Sequence, residues 1–475
     1  MSKPTDVLLL VNAMMGQFIS GVATRVFIVS LPTLAAALHA DILSVSWALI
    51  AYQLAGISLS VVFGRLGDIH GRYAIYGSGF VVMTISSILC GLAPSVSWLI
   101  VFRLVQGIGA AMIASAARVL AMEALPEGAE GRANGFMTMS YHGGLLLGPP
   151  LGGLVIDLLS WRWIFFLLVP IGVAGTTLTI LRARGRRREH VEEPAGAVDY
   201  VGAAMLVVLT VMLTLVVDRR SAEAIGASQK GVMLGAFVLG LAGFIVHERR
   251  AVNPVVNLAL FRIRMFTFSV LSLLAFATTS SVLTLLLPFY IQNVLHRSPS
   301  FMGLLFLSAP VLTISLAVLA GQLTDRVGPR IPATIGLSVV MAAFAIGMSL
   351  KVDSHWILPG LLLACTGIGQ GFFNTPNQTA IIGSVPRLYR GFATGLVQMM
   401  FGLGSLLGIS LGGALLTQMF RYYTGLPDAT PSADVPDAFV AAMSATYAVC
   451  LVVMIAALAA SLMRGGRRVE AAALD

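Results

Sequence analysis

The chain has 475 residues, of which 57% are hydrophobic and only 11% charged. Soluble domains carry about a quarter charged residues, so the composition excludes a soluble enzyme or binding module and specifies an integral membrane protein. The net charge of +9 is spread over the connections between apolar runs, which argues against a nucleic-acid partner.

Those runs are long and continuously apolar, so they are helices and not the alternating strands of a barrel. Fourteen segments are predicted, over roughly 7–38, 43–63, 74–93, 98–122, 133–159, 163–181, 199–217, 231–246, 266–293, 301–320, 331–350, 356–373, 391–418 and 439–463. Only Lys3 precedes the first, which is too long for a signal core and is expected to stay. With the N-terminus in the cytoplasm, Lys3, Arg65, Arg72, Arg132, the run from Arg182 to Arg188, Arg249, Arg250, Arg262, Arg264, Arg326, Arg330, Arg387, Arg390, Arg464, Arg467 and Arg468 all fall inside. The positive-inside rule then places both termini in the cytoplasm.

Polar residues within the runs are the candidates for function. Arg25 is the only charged residue between Asp6 and His39, and an arginine at a helix centre costs roughly 2.5–3.5 kcal/mol on insertion scales. It either lines a cavity or pairs with a structural partner. Helix 2 carries Tyr52 and Gln53, and helix 4 carries Arg103, Gln106 and Arg118. Arg103 and Arg118 stand about 60° apart around that helix and roughly 22 Å along it, so both can face one cavity; Arg118 can equally snorkel to the interface. On helix 5, Gly144, Gly148 and Gly152 form a bare stripe for close packing, flanked by Pro149, which weakens the helix, and by Gly153. His142 lies about 200° from Gly144. It is either a hydrogen-bonded interior residue or a proton carrier. Tyr290, Asn374, Asn377, Gln378 and Gln398 complete the polar set. Cys90, Cys365 and Cys450 have no paired spacing and read as small apolar fillers. The sequence offers no metal cluster, nucleotide loop or paired mid-membrane carboxylates, so no enzyme, metal or cofactor is expected.

The chain repeats itself. GRLGDIHGR from Gly64 returns as GQLTDRVGPR from Gly321, at an offset of 257; GIGAA from Gly107 returns as GIGQG from Gly367, and GLLLGPPLGG from Gly144 as GSLLGISLGG from Gly404, both at 260. Two homologous six-helix halves follow, over 1–190 and 251–475, with two inserted linker helices in 191–250. Parallel repeats of this kind are a transporter architecture with the substrate site between the halves. At offset 260, Arg103 faces Leu363, Arg118 faces Gln378, His142 faces Gly402 and Pro149 faces Ile409, so the N-terminal half has gained three cationic or titratable side chains at these positions.

Taken together, the loop Gly64-Arg65-Leu66-Gly67-Asp68 with Gly71-Arg72, the helix-4 residues Arg103, Gln106, Gly107 and Gly109, the helix-5 residues Gly135, Gly144, Gly148, Pro149, Gly152 and Gly153, and W161-R162-W163-I164-F165-F166 with Pro170 resemble the major facilitator superfamily, specifically its fourteen-helix drug:proton antiporter branch. The resemblance covers essentially the whole chain. It implies an all-α integral membrane fold of two six-helix bundles plus two inserted helices. It also implies a latch of Gly64, Asp68, Arg72 and Glu123, copied in the second half by Asp325, Arg326 and Arg330, and a helix-5 gasket of Gly144, Gly148, Pro149, Gly152 and Gly153 between the halves. The function it implies is proton-coupled export of hydrophobic or amphipathic compounds by alternating access, with a small-molecule or lipid-like substrate, membrane lipids around it and a monomeric chain.

The chain departs from that branch at helix 1. Aligned on Leu31-Pro32, Ala23 stands where the branch carries an aspartate and Arg25 where it carries a threonine; Leu168 replaces the asparagine of the helix-6 opening. Acidic residues near the spans, namely Asp68, Glu123, Asp157, Asp199, Asp218 and Asp325, fall at predicted ends. A cavity holding Arg25, Arg103 and Arg118 favours carboxylate, phosphate or sulfate groups. Export of anionic amphiphiles or lipids is therefore the competing function, and a facilitative uniporter or a non-transporting sensor is the third.

Overall fold

A computed structural model of the protein describes residues 5–40, 42–185, 199–217, 227–426, 431 and 435–464. Lys3, Arg186, Arg187, Arg188, Asp218, Arg467 and Arg468, named above, lie outside the described residues. The structure is all helical among them. In chain order the long helices are α1 (Val7–Ala37), α2 (Ile42–His70), α3 (Arg72–Gly91), α4 (Val96–Ala124), α5 (Glu130–Leu158), α6 (Leu168–Gly185), α7 (Tyr200–Val217), α8 (Ala227–Arg250), α9 (Arg264–Phe289), α10 (Pro299–Val327), α11 (Arg330–Met348), α12 (Ile357–Gly383), α13 (Arg390–Thr424) and α14 (Pro436–Leu462). Thirteen of them are long and apolar enough to cross a membrane. The exception, α5, is 29 residues long but diluted by glycines and by Pro149 and Pro150. The protein is a multi-pass membrane protein.

Helices α1–α6 pack on one another, with α1 against α5, α2 against α4 and α3 against α4 and α6; α9–α14 repeat that scheme, with α9 against α13, α10 against α12 and α11 against α12 and α14. The inserted α7 and α8 pack together, and α7 rests on α2 and α13. The two groups meet through α5 on α10 and through α2 on α13, with smaller contributions from α5 on α12 and α4 on α13. Without a hydrophobic drive between helices in lipid, such contacts depend on close van der Waals approach, and glycine supplies it here.

The helix-5 stripe makes its approach to a different partner from the one expected. A Cβ on Gly144 would meet the Phe18 carbonyl and the Val22 amide of α1, one on Gly148 the Arg25 Cβ at 3.0 Å, and one on Gly152 the Val26 Cγ1 at 3.3 Å. Gly153 has open space within 4 Å. The stripe therefore binds α5 to α1 inside one half and is not a gasket between halves in this conformation. Its repeat copy does the same: Gly404, Gly408 and Gly412 of α13 pack on Ala277, Thr278 and Val282 of α9.

Candidate functional site

The halves touch most closely at the end where α2 and α10 finish and where α5 and α13 begin, called here the Asp68 end. Gly64 lies against the backbone of Gly391, and Gly131 against that of Gly321. On each of these contacts sits one carboxylate. Asp68 accepts hydrogen bonds from the backbone amides of Gly391 and Phe392, both at 2.9 Å. Asp325 accepts from the amides of Gly131 at 2.7 Å and Arg132 at 3.1 Å. In both cases a carboxylate from one half caps the first turn of a helix in the other, where free N–H groups and the helix dipole favour negative charge. The two arrangements are pseudo-twofold copies.

Their surroundings differ. Arg72 ties Asp68 (3.0 Å) to Glu123 (2.8 Å) and donates across the junction to the Arg387 carbonyl at 2.6 Å. Arg65 is buried beside it, its guanidinium 4.9 Å from the centre of the Tyr389 ring. Arg326 and Arg330 are exposed. The cation beside Asp325 is instead Arg132 of α5, at 3.6 Å. The resemblance implied the first two; a carboxylate that caps a helix start meets the residues of that start.

The closed contact extends inward by several turns. Along α5 it runs through Asn134, which donates to Thr379 Oγ1 at 3.1 Å, Gly135 against Ala317, and Thr138, whose hydroxyl is 3.3 Å from that of Thr375. Along α2 it runs through Ser60, which donates to the Gly395 carbonyl at 2.9 Å, and Ile57 against Gly402. One turn further, His142 is half-buried and Gln53 exposed. The floor between the halves therefore lies at Thr138 and Ser60.

A Cβ on Gly131 would strike the Gly321 carbonyl and come within 2.7 Å of Asp325 Oδ1. Overpacking of this kind costs about 1–3 kcal/mol. Gly131→Ala is expected to lower transport about five-fold or more, whereas Gly143→Ala and Gly153→Ala, both facing open space, should match wild type in the same efflux assay.

Around and beyond the floor, the predicted polar residues divide into two groups. Arg103 and Gln106 are fully buried, at 1% and 0% exposure. The Arg103 guanidinium is sandwiched between the Phe27 ring at 4.3 Å and the Tyr52 ring at 4.2 Å, and donates to Gln106 Oε1 at 2.6 Å; Gln106 in turn donates to Ser87 Oγ at 2.7 Å. This network joins α1 to α4 and does not line the space between the halves, which corrects the expectation for Arg103 and Gln106. Tyr52 is buried in it and also hydrogen-bonds Thr24. Asn377 donates to the Ser269 carbonyl at 3.2 Å and is structural, as is Tyr290, whose hydroxyl donates to Lys351 O.

Arg25, Arg118 and His142 form the second group. Arg25 is exposed, His142 half-buried, and Arg118 buried at 7% exposure with Nη1 unpartnered. Tyr141, which the sequence did not single out, stands among them. Arg25 and Arg118 are the two guanidinium groups within electrostatic range of both Tyr141 and His142. On the opposite half, Asn374 and Gln378 of α12 are buried with their amide oxygens unpartnered, and Gln398 of α13 is half-buried. Every Asp and Glu within a described helix sits in its first or last turn. Among the described residues no His, Cys, Asp and Glu group could hold a metal ion.

Comparison with known proteins agrees with this architecture. Over 405 residues the chain is 31% identical to the uncharacterized transporter YebQ of Escherichia coli, covering 83% of this chain and 85% of that one. It is 29% identical over 416 residues to the multidrug resistance protein Stp of Mycobacterium tuberculosis, covering 87% and 76%. The human organic anion transporter MFSD10 shares the fold, with a TM-score of 0.65 at 13% identity over 95% of this chain and 100% of that one. Residues 13–246 and 268–472 match the profile of the Major Facilitator Superfamily; the chain belongs to that superfamily and to its drug:proton antiporter-type branch, and it is a transporter.

Proposed function

We propose that the protein is a secondary active exporter of the inner membrane that moves hydrophobic or amphipathic small molecules by alternating access, with the Asp68 end and both termini in the cytoplasm. The observation that carries this reading is the pair of carboxylate caps, Asp68 on α13 and Asp325 on α5. They close one end of the molecule through hydrogen bonds that can be broken and remade without disturbing either half. A switch needs two discrete arrangements, and a seam made of a few charged caps and bare glycine contacts is suited to opening. The multidrug name carried by the Mycobacterium relative favours amphipathic compounds as substrates.

Proton coupling is part of the proposal, and His142 is the titratable group best placed to carry it, just above the floor and away from the helix ends where the carboxylates sit. The test is flux of ethidium and of carboxyfluorescein in proteoliposomes, with an internal pH dye. Coupled export predicts that an imposed pH gradient drives accumulation of at least one probe and that the probe moves protons. His142→Gln should then uncouple the two, with gradient-driven accumulation lost and downhill exchange retained. Flux indifferent to the gradient would identify a uniporter, and binding without flux a sensor.

A further inference from the structure

We infer that Arg118, His142 and Arg25 form a ladder of anion-binding groups along the N-terminal half, and that the transported class is an amphiphile with an anionic head group. The inference rests on the exporter reading above and names its substrate class. Measured from the Asp68 end at 1.5 Å per residue, Arg118 lies about 9 Å along α4, His142 about 18 Å along α5 and Arg25 about 27 Å along α1. On the same scale Thr138 of the floor lies at about 12 Å, so Arg118 stands just on the Asp68 side of the floor, and His142 and Arg25 follow at successive depths beyond it toward the open end.

Three features argue for a ligand rather than internal pairing. Arg118 is more than nine-tenths buried yet keeps Nη1 without a partner, and a buried unsatisfied donor on a charged group is costly. Arg25 is exposed within the first span, about one turn before its end at Ile28, and makes no ion pair with a described residue, where an unneutralised arginine is expensive unless it serves a pathway or reaches the interface. Among the described residues the site also has no carboxylate of its own, because every Asp and Glu within a described helix sits in its first or last turn. A cationic substrate would add a third positive charge to this face, whereas a carboxylate, sulfonate or phosphate would satisfy it in bidentate fashion. The matching position on the second half is Gln378, so the far wall is polar but uncharged.

The stages follow from the burial. With the Asp68 end closed, Arg25 is accessible and Arg118 is withdrawn. Opening at Thr138 and Ser60 would uncover Arg118 first. Arg118 is thus the loading station and Arg25 the release station.

The experiment is equilibrium binding of two probes of equal chain length and opposite charge, dodecyl sulfonate and dodecyltrimethylammonium, to the full-length protein in zwitterionic nanodiscs. Wild type is expected to prefer the sulfonate by about ten-fold or more, the worth of one charge-assisted hydrogen bond. Arg118→Gln should bring the two probes to parity, Arg118→Lys should keep part of the preference, and Arg25→Gln should weaken sulfonate binding with unchanged thermal stability, since that side chain is exposed. Equal or tighter binding of the ammonium by wild type would overturn the inference, as would a preference that survives both glutamine variants. Displacement of the sulfonate by added phosphatidylglycerol would support the site and assign its occupant to lipid. Binding preference is read without flux, so failure of the exporter reading in proteoliposomes is a separate result.

Discussion

Asp68→Asn is expected to open the Asp68 end and, on the exporter reading proposed above, to abolish gradient-driven export. The substitution removes the charge that holds two backbone amides of α13 and the Arg72 guanidinium. Asparagine can still accept one of those bonds, so the loss is on the order of 2 kcal/mol, or about 30-fold in the balance between closed and open forms. Asp325→Asn should act in the same direction with a smaller effect. Its side chain is 13% exposed against 0% for Asp68, and its Arg132 partner is 44% exposed and 3.6 Å away, where solvent screening takes most of an ion pair's worth. The measurement is alkylation of Thr138→Cys by a membrane-impermeant maleimide from the Asp68 side, with Cys90, Cys365 and Cys450 replaced by alanine. Thr138 is buried at the floor, so labelling reports opening directly. Slow labelling in the Asp68 background and faster labelling with Asp68→Asn are expected; unchanged labelling with lost transport would place the role of Asp68 elsewhere.

That outcome would also separate the two uses of glycine in this fold. The stripe at Gly144, Gly148 and Gly152 was plain in the sequence because residues four apart share a helix face, but spacing gives the bare face without naming the helix laid on it. The structure assigns that face to α1. The approach between halves belongs to Gly131 and Gly135, and to Gly391 and Gly395. These pairs recur at the offset of 260 shared by two of the three other echoes, so the repeat held the signal. The span pattern was legible because lipid demands long apolar helices, and Asp68, Arg72 and Glu123 were legible through their motif. Arg132 was not, since its link to Asp325 depends on how two separate helices meet. Arg25 and Arg103 make the same point. Both are arginines in apolar runs, but one is exposed beside Gly148 and the other is enclosed by two rings and an amide. Rotation about the helix and the identity of neighbours decide between those fates, and neither is fixed by local sequence.

The enclosed arginine leads to an unusual stability order: Gln106→Leu should harm the protein more than Arg103→Met. Arg103 is a buried charge with no described carboxylate beside it, held by two aromatic faces worth roughly 1–2 kcal/mol each when desolvated, by its short bond to Gln106 and by a longer one, 3.4 Å, from Nε to the Ala48 carbonyl. Removing Gln106 leaves the charge in place and takes away its short hydrogen-bond acceptor, which costs about 1.5–3 kcal/mol. Removing the charge itself leaves a neutral Gln106 oxygen unpaired, at about 1–3 kcal/mol, but also abolishes a desolvation penalty of several kcal/mol. Methionine fills a similar volume between Phe27 and Tyr52, and thioether–aromatic contacts recover about 0.3–1.5 kcal/mol. Arg103→Met is therefore expected within about 1 kcal/mol of wild type, and Gln106→Leu about 2 kcal/mol below it, in denaturant unfolding of the detergent-solubilised protein. Because Arg103 lies outside the ladder formed by Arg118, His142 and Arg25, its methionine variant should retain the preference for dodecyl sulfonate. Loss of that preference would return Arg103 to the substrate path, and the reverse stability order would mean that its charge contributes more to the N-terminal half than the two rings and the hydrogen bonds to Gln106 and Ala48 can explain.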